Sequence, residues 1–151
     1  MAKKFTHSDV LAIIPQQPPF MFIDEAEIEG DTVRATYKIT GDEDFLKGHF
    51  PDNPVFPASV MLEGLGQAAI LLLLGREVSQ DDFVPDPKCV FFTSCEGVRC
   101  TRICRPGDTL RYEVKISRLR FPLGMFEGKI FVGEETAAYT EKISLIFDKK
   151  V

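Results

Sequence analysis

SVMLEGLGQAAILLLLGR, Ser59–Arg76, is the stretch on which the fold turns. It is long enough for a helix, and its hydrophobic residues would fall on every side of one. Such a helix is buried rather than laid on a surface. Gly64, Gly66, Ala68 and Ala69 let a neighbouring backbone approach closely, although the glycines cost helix propensity. The run AAILLLL stays well below the roughly 20 apolar residues that cross a bilayer, so no membrane span is expected.

On the N-terminal side, THSDVLAII predicts a short helix with Thr6 as N-cap and Asp9 completing a capping box. Pro15, Pro18 and Pro19 end it and lead into an extended segment, FMFIDEAEI. Glu29-Gly30-Asp31 is a turn, and TVRATYKIT alternates like a strand, so the two segments form a hairpin. On the C-terminal side, SQDDFVPDP reads as a polar loop. Four strand-like stretches follow: KCVFFTSCEGVRCTRI, TLRYEVKISRL, MFEGKIFVG and AAYTEKISLIF. Pro106-Gly107-Asp108, Pro122-Leu123-Gly124 and Gly133-Glu134 mark the turns between them. Two strands, a buried helix and four strands make an α+β pattern, an antiparallel β-sheet wrapped around a long central helix. One sheet layer covers only part of a helix that is apolar all round. The remainder needs a partner surface, and a dimer is expected.

The 151 residues, 44% of them hydrophobic, suit one domain over 1–151. A net charge of -5 argues against a nucleic-acid partner, which calls for a basic footprint. MAKKFTHSDV carries no apolar run of the secretory type, so a soluble, cytoplasmic protein is expected. Cys89, Cys95, Cys100 and Cys104 lack CxxC spacing and a nearby histidine. They read as buried free thiols rather than as a metal site or disulfides. The 13 phenylalanines read first as ordinary core packing.

Ser59, Glu63 and Gln67, at i, i+4 and i+8, form one narrow polar stripe on the apolar helix. A buried unpaired carboxyl tends to stay protonated and so can act as a general acid. His49 lies just upstream in a proline-rich loop, and an unperturbed imidazole titrates at about 6.5, suited to a general base. Pro57 sits where helices begin, which leaves the N–H groups of Ala58 and Ser59 free for a carbonyl oxygen gaining negative charge. These are the parts needed to remove a proton beside a carbonyl and expel a β-hydroxyl as water. On spacing alone, a structural loop histidine and a glutamate reaching solvent or an arginine account for the same residues.

GHFPDNPVFPASVMLEGLGQAA, from Gly48 to Ala69, resembles the active-site segment of the (3R)-3-hydroxyacyl-acyl carrier protein dehydratases of bacterial fatty acid synthesis, whose pattern runs GHFPxxPxxPGxxxxExxxQ. IIPQQPPFMFID, VRCTRICRPGDTLRYEV and GKIFVGEETAAYTE resemble further segments of that family, so the resemblance spans most of the chain. It implies the hotdog fold, with His49 as base, Glu63 as acid, Ala58 and Ser59 at the thioester oxygen, and Gly48, Pro57 and Gln67 supporting the site. In the family the base and acid come from opposite subunits of a dimer. Glu63 rather than aspartate resembles the branch that dehydrates without isomerising. The substrate implied is a 3-hydroxyacyl chain carried as a phosphopantetheine thioester on acyl carrier protein, with no metal or organic cofactor. The assembly implied is a homodimer or a higher homo-oligomer such as a trimer of dimers.

Three departures mark a divergent member. Ala58 stands where the family has glycine, Gln16-Gln17-Pro18 replaces HRY, and RCTRIC replaces RFRRPV, bringing in Cys100 and Ile103. Ala58 and the altered flanks keep a non-catalytic acyl-binding subunit on the same fold as an alternative. An acyl thioesterase is the other, and the intact GHFP…E block speaks against it. Acyl carrier protein is strongly acidic, so an acidic enzyme needs a local basic patch for it. Arg99, Arg102 and Arg105 on one predicted strand, with Arg118 and Arg120 on the next, are the candidates. Ordinary solvated strand charge explains them equally well.

Overall fold

A computed structural model describes residues 2–78 and 84–149. Its elements run β1 (Lys3–Phe5), α1 (His7–Ile13), β2 (Glu25–Glu29), β3 (Thr32–Lys38), a 3-10 turn (Asp44–Lys47), α2 (Ala58–Gly75), β4 (Pro85–Glu96), β5 (Arg99–Cys100), β6 (Thr109–Arg120), β7 (Leu123–Val132) and β8 (Glu135–Lys149). The strands form one antiparallel sheet in the order β1-β2-β3-β6-β7-β8-β4, with β5 also pairing β8.

The capping box appears as the sequence predicts: Thr6 accepts from Asp9 N, and the Asp9 carboxylate accepts from Thr6 N. Those hydrogen bonds hold the Asp9 carboxyl below its ordinary range. Period-2 alternation then sets the inner face of the sheet. Val33, Ala35 and Tyr37 of β3 point inward, opposite Val114, Tyr112 and Leu110 of β6.

Helix α2 lies across that face. Gly64 sits against the ring of Tyr112 on β6, and Gly75 against Phe5 of β1 and Ile28 of β2. Met61, Leu65, Ile70, Leu71, Leu72 and Leu73 are buried. At roughly 2 kcal/mol for each large apolar side chain, this burial outweighs about 1 kcal/mol per interior glycine. On length and composition α2 could cross a membrane, yet most of it is buried within the chain. The sheet and α1 therefore cover more of the helix than one layer was expected to. What stays partly uncovered is its N-terminal half, at Val60, Leu62 and Glu63.

The structure corrects several sequence expectations. Phe20–Ile23 is not in the ladder, because the Phe22 N–H donates to the Gln67 side chain instead of a neighbouring strand, and cross-strand bonding starts only at Asp24 N to Thr36 O. Pro85 and Pro87, expected in a loop, lie in β4, which tolerates proline as an edge strand. Residues 79–83 of that loop fall outside the described residues. KCVFFTSCEGVRCTRI is not one strand but β4 and β5, broken at Gly97, whose φ of 64° suits a turn. All four cysteines are free, but only Cys104 is fully buried, and Cys100 is exposed. Not all the phenylalanines serve the core: Phe20, Phe50, Phe91, Phe92 and Phe121 are exposed.

Candidate active site

The polar stripe of α2 runs from surface to interior. Ser59 is exposed, Glu63 half-buried and Gln67 fully buried. Both N–H donors of the Gln67 amide are used: Nε2 donates to Phe20 O at 3.0 Å and to Glu63 Oε2 at 2.9 Å, while Oε1 accepts from Phe22 N at 2.8 Å. One amide thus anchors the Phe20–Phe22 segment to the helix and orients the Glu63 carboxyl. Burial pushes the Glu63 carboxyl above its ordinary value, and the Gln67 hydrogen bond pulls partly against it. A raised carboxyl at the half-open end of an apolar helix is the state a general acid needs.

His49 sits in the loop between the 3-10 turn and α2. Its Nδ1 lies 2.7 Å from Val55 O. A carbonyl oxygen only accepts, so Nδ1 carries the proton and Nε2 is left with the basic lone pair. The loop closes on itself through Val55 N to His49 O at 2.8 Å and a reciprocal pair between Phe50 and Asn53. Its tight turn places Asp52 at a φ of 59°. Phe50 stacks on the imidazole with centroids 4.1 Å apart.

Pro57 is the N-cap of α2, and its carbonyl accepts from Val60 N and Met61 N. The N–H groups of Ala58 and Ser59 have no partner among the described residues, and both residues are exposed. Ala58 is the first helical residue and is not among those with positive φ, so alanine fits there without backbone strain. Gly48 is less special than expected. Its φ is -98°, and nothing lies within 4 Å of where a Cβ would sit.

Within one chain no hydrogen bond or ion pair joins His49 to Glu63 among the described residues. The five arginines also do not make one patch. Arg102 and Arg105 are not on a strand but in the loop after β5. Arg102 is ion-paired to Asp108 at 3.3 Å and Glu135 at 3.4 Å, and Arg105 bonds Asn53. Arg99 stands opposite Tyr139 of β8, whereas Arg118 pairs with Met125, opposite Ser144. Those β8 positions are roughly 17 Å apart at about 3.4 Å per residue. Arg105 and Arg120 flank opposite ends of β6.

Two contributors escaped the sequence reading. The Val55 carbonyl that fixes His49 is a backbone group with no residue signal. Tyr112 is buried beneath Gly64, and its hydroxyl has no hydrogen-bond partner among the described residues. In the sequence Tyr112 is only one residue of a strand-like stretch, with no signal for the helix glycine above it.

Residues 14–141 match the FabA-like domain family. A 3-hydroxyacyl-acyl-carrier-protein dehydratase FabZ of Thermomicrobium roseum is 39% identical over 138 residues, spanning 90% of this chain and 89% of that one. The FabZ dehydratase of Clostridium kluyveri is 37% identical over 147 residues, spanning 96% and 98%. Among solved structures, the dehydratase heterocomplex ApeI:P of Xenorhabdus doucetiae superposes with a TM-score of 0.74 at 14% identity, covering 91% of this chain and 89% of that one. At that identity the likeness speaks for the hotdog fold alone.

Proposed function

We infer the chemistry from kinship: the chain belongs to the FabA-like family and is a hotdog-fold dehydratase of the FabZ type. It is a hydro-lyase of fatty acid biosynthesis, dehydrating (3R)-3-hydroxyacyl-acyl carrier protein thioesters to trans-2-enoyl thioesters. We propose that His49 Nε2 takes the proton from C2 while the Ala58 and Ser59 N–H groups hold the thioester oxygen as it gains charge. Glu63 then protonates the C3 hydroxyl, which leaves as water as the C2–C3 double bond forms. His49 ends protonated and Glu63 ionised, and return of that proton to Glu63 resets the site. The observation that carries this reading is the His49 Nδ1 bond to Val55 O, which leaves Nε2 free as a base.

The working unit we propose is a homodimer, with His49 of one chain facing Glu63 of the partner subunit. It is supported by β4, an edge strand with one side unpaired and with Phe91 and Phe92 exposed. A long apolar edge is a liability unless a second strand covers it. The uncovered N-terminal half of α2 gives that second chain a further face to meet. Carrier protein would dock near the Arg99 end of the sheet, and a cytoplasmic location goes with a carrier-bound substrate.

The test is conversion of a 3-hydroxyacyl thioester to the 2-enoyl product by His49→Ala, by Glu63→Gln, and by the two variants co-expressed. Each alone should lose nearly all activity. Together they should recover about a quarter of the wild-type rate, because half the dimers are mixed and each mixed dimer has one intact site of two. Full activity in both single variants would end the assignment, and no recovery on co-expression would place each site within one chain.

A further inference from the structure

Arg105 does not point away as a free surface charge. Its Nη1 donates to Asn53 Oδ1 at 2.6 Å and reaches Pro54 O at 3.4 Å. Asn53 and Pro54 lead directly into Val55, whose carbonyl holds His49 Nδ1 at 2.7 Å. On the other side of Val55, Phe56 N donates to Cys104 O at 2.8 Å. The carbonyl that orients the imidazole therefore lies between two anchors, both supplied by the adjacent pair Cys104 and Arg105. Arg105 is itself fixed, because its N–H donates to Asp108 Oδ2 at 2.9 Å, the oxygen that also takes Arg102 Nη1 at 3.3 Å.

We propose that Arg105 is a positioning residue for His49, clamping the Asn53–Pro54 arm so that the Val55 carbonyl keeps the imidazole with Nε2 toward the substrate. The proposal rests on the dehydratase reading for its kinetic consequence but not for its geometry. Without the clamp the arm keeps only the Phe56 N–H anchor to the rest of the chain and the loop's own bonds, Val55 N to His49 O and the Phe50–Asn53 pair, with the left-handed Asp52 turn at its far end. A single exposed charge-assisted bond contributes little to global stability. Its loss should show in the rate and in the histidine, not in folding.

The chain has only two histidines, His7 and His49, so the His49 ring can be followed by 15N NMR of the full-length protein. In wild type the His49 Nδ1–H should be seen and exchange slowly with water. In Arg105→Met that signal should broaden or exchange faster, and kcat should fall about tenfold, short of the ~100-fold that a full ångström of misplacement costs. KM should change by less than about twofold, since both substrate N–H donors are untouched. Asn53→Ala, which leaves the arginine in place, should give the same losses. The double variant should be no worse than either single one, and Arg105→Lys should recover part of the rate.

Unchanged kcat and unchanged Nδ1–H exchange in both single variants would overturn the proposal. So would a rise in KM confined to carrier-bound substrate, which would make Arg105 a docking residue. If the wild-type protein failed to dehydrate, the NMR arm would still decide the clamp, because it needs no substrate.

Discussion

Gln67 Nε2 stands 2.9 Å from Glu63 Oε2, one helical turn away, while the same amide's Oε1 receives the Phe22 N–H. Glu63 is thus oriented by a side chain that also seals the chain segment crossing in front of it.

Replacing Gln67 with leucine removes both roles at once. The Phe22 N–H and the Phe20 carbonyl lose their partner, at about 1–3 kcal/mol for each buried unsatisfied group. A loss of roughly 2–6 kcal/mol should appear in urea denaturation. Because the Gln67 bond lowers the Glu63 carboxyl, its removal should also move the alkaline limb of kcat/KM to higher pH. An unshifted limb would show that Gln67 does not tune the acid.

Burial raises the Glu63 carboxyl in the folded chain above its ordinary 4.5. The stability it contributes is therefore fully present below that ordinary value and lost as pH rises through the folded one. Glu63→Gln stays neutral throughout, so its stability relative to wild type should grow from pH 4.5 to pH 8. Thermal melts at both pH values check this. A pH-independent difference would contradict the burial of the carboxyl. Glu43 carries the opposite sign: hydrogen bonds from Tyr37, Gly41 and Thr40 lower its carboxyl despite its burial. Its contribution is present above the ordinary value and lost on acidification.

Gly64 is set by space, because a Cβ there would fall 2.6 Å from Tyr112 Cζ. Gly64→Ala gains about 1 kcal/mol of helix propensity but overpacks a fully buried ring, which typically costs about 1–3 kcal/mol. Overpacking should win, and Tyr112→Leu in the same chain should recover most of the loss. Alone, Tyr112→Phe removes an orphaned buried hydroxyl and should raise the melting temperature by about 2–4 °C.

Ala58 takes an ordinary helical backbone, so the N–H offered at the helix start is the same with alanine or glycine. Ala58→Gly should change kcat/KM by less than about threefold. A larger gain in steady-state turnover would mean that the methyl group crowds the thioester.

Arg99 is an exposed candidate on β5, with no ion pair among the described residues. Charge reversal there should raise KM for carrier-bound substrate and spare a short pantetheine thioester. An equal effect on both substrates, or a larger one from Arg120→Glu, would move the docking surface elsewhere.

The helix, the hairpin, the capping box and the strand periods could be read from the chain because each depends on neighbours within a few residues. Thr6 and Asp9 cap their own turn, and Val33, Ala35 and Tyr37 alternate along their own strand. Even Glu63 stood out, as the one carboxyl on the narrow polar stripe of an otherwise apolar helix. Contacts between distant segments were not legible in that way. Gln67 reaches Phe22 across 45 residues, Arg105 reaches Asn53 across 52, and a buried tyrosine sits under a helix glycine. Five arginines looked like one docking surface because linear spacing says nothing about which end of a strand a loop returns to. Sequence set the parts and their local geometry; the packing of the sheet against α2 left Arg99 exposed on β5, drew Arg102 into ion pairs and brought Arg105 to the histidine loop.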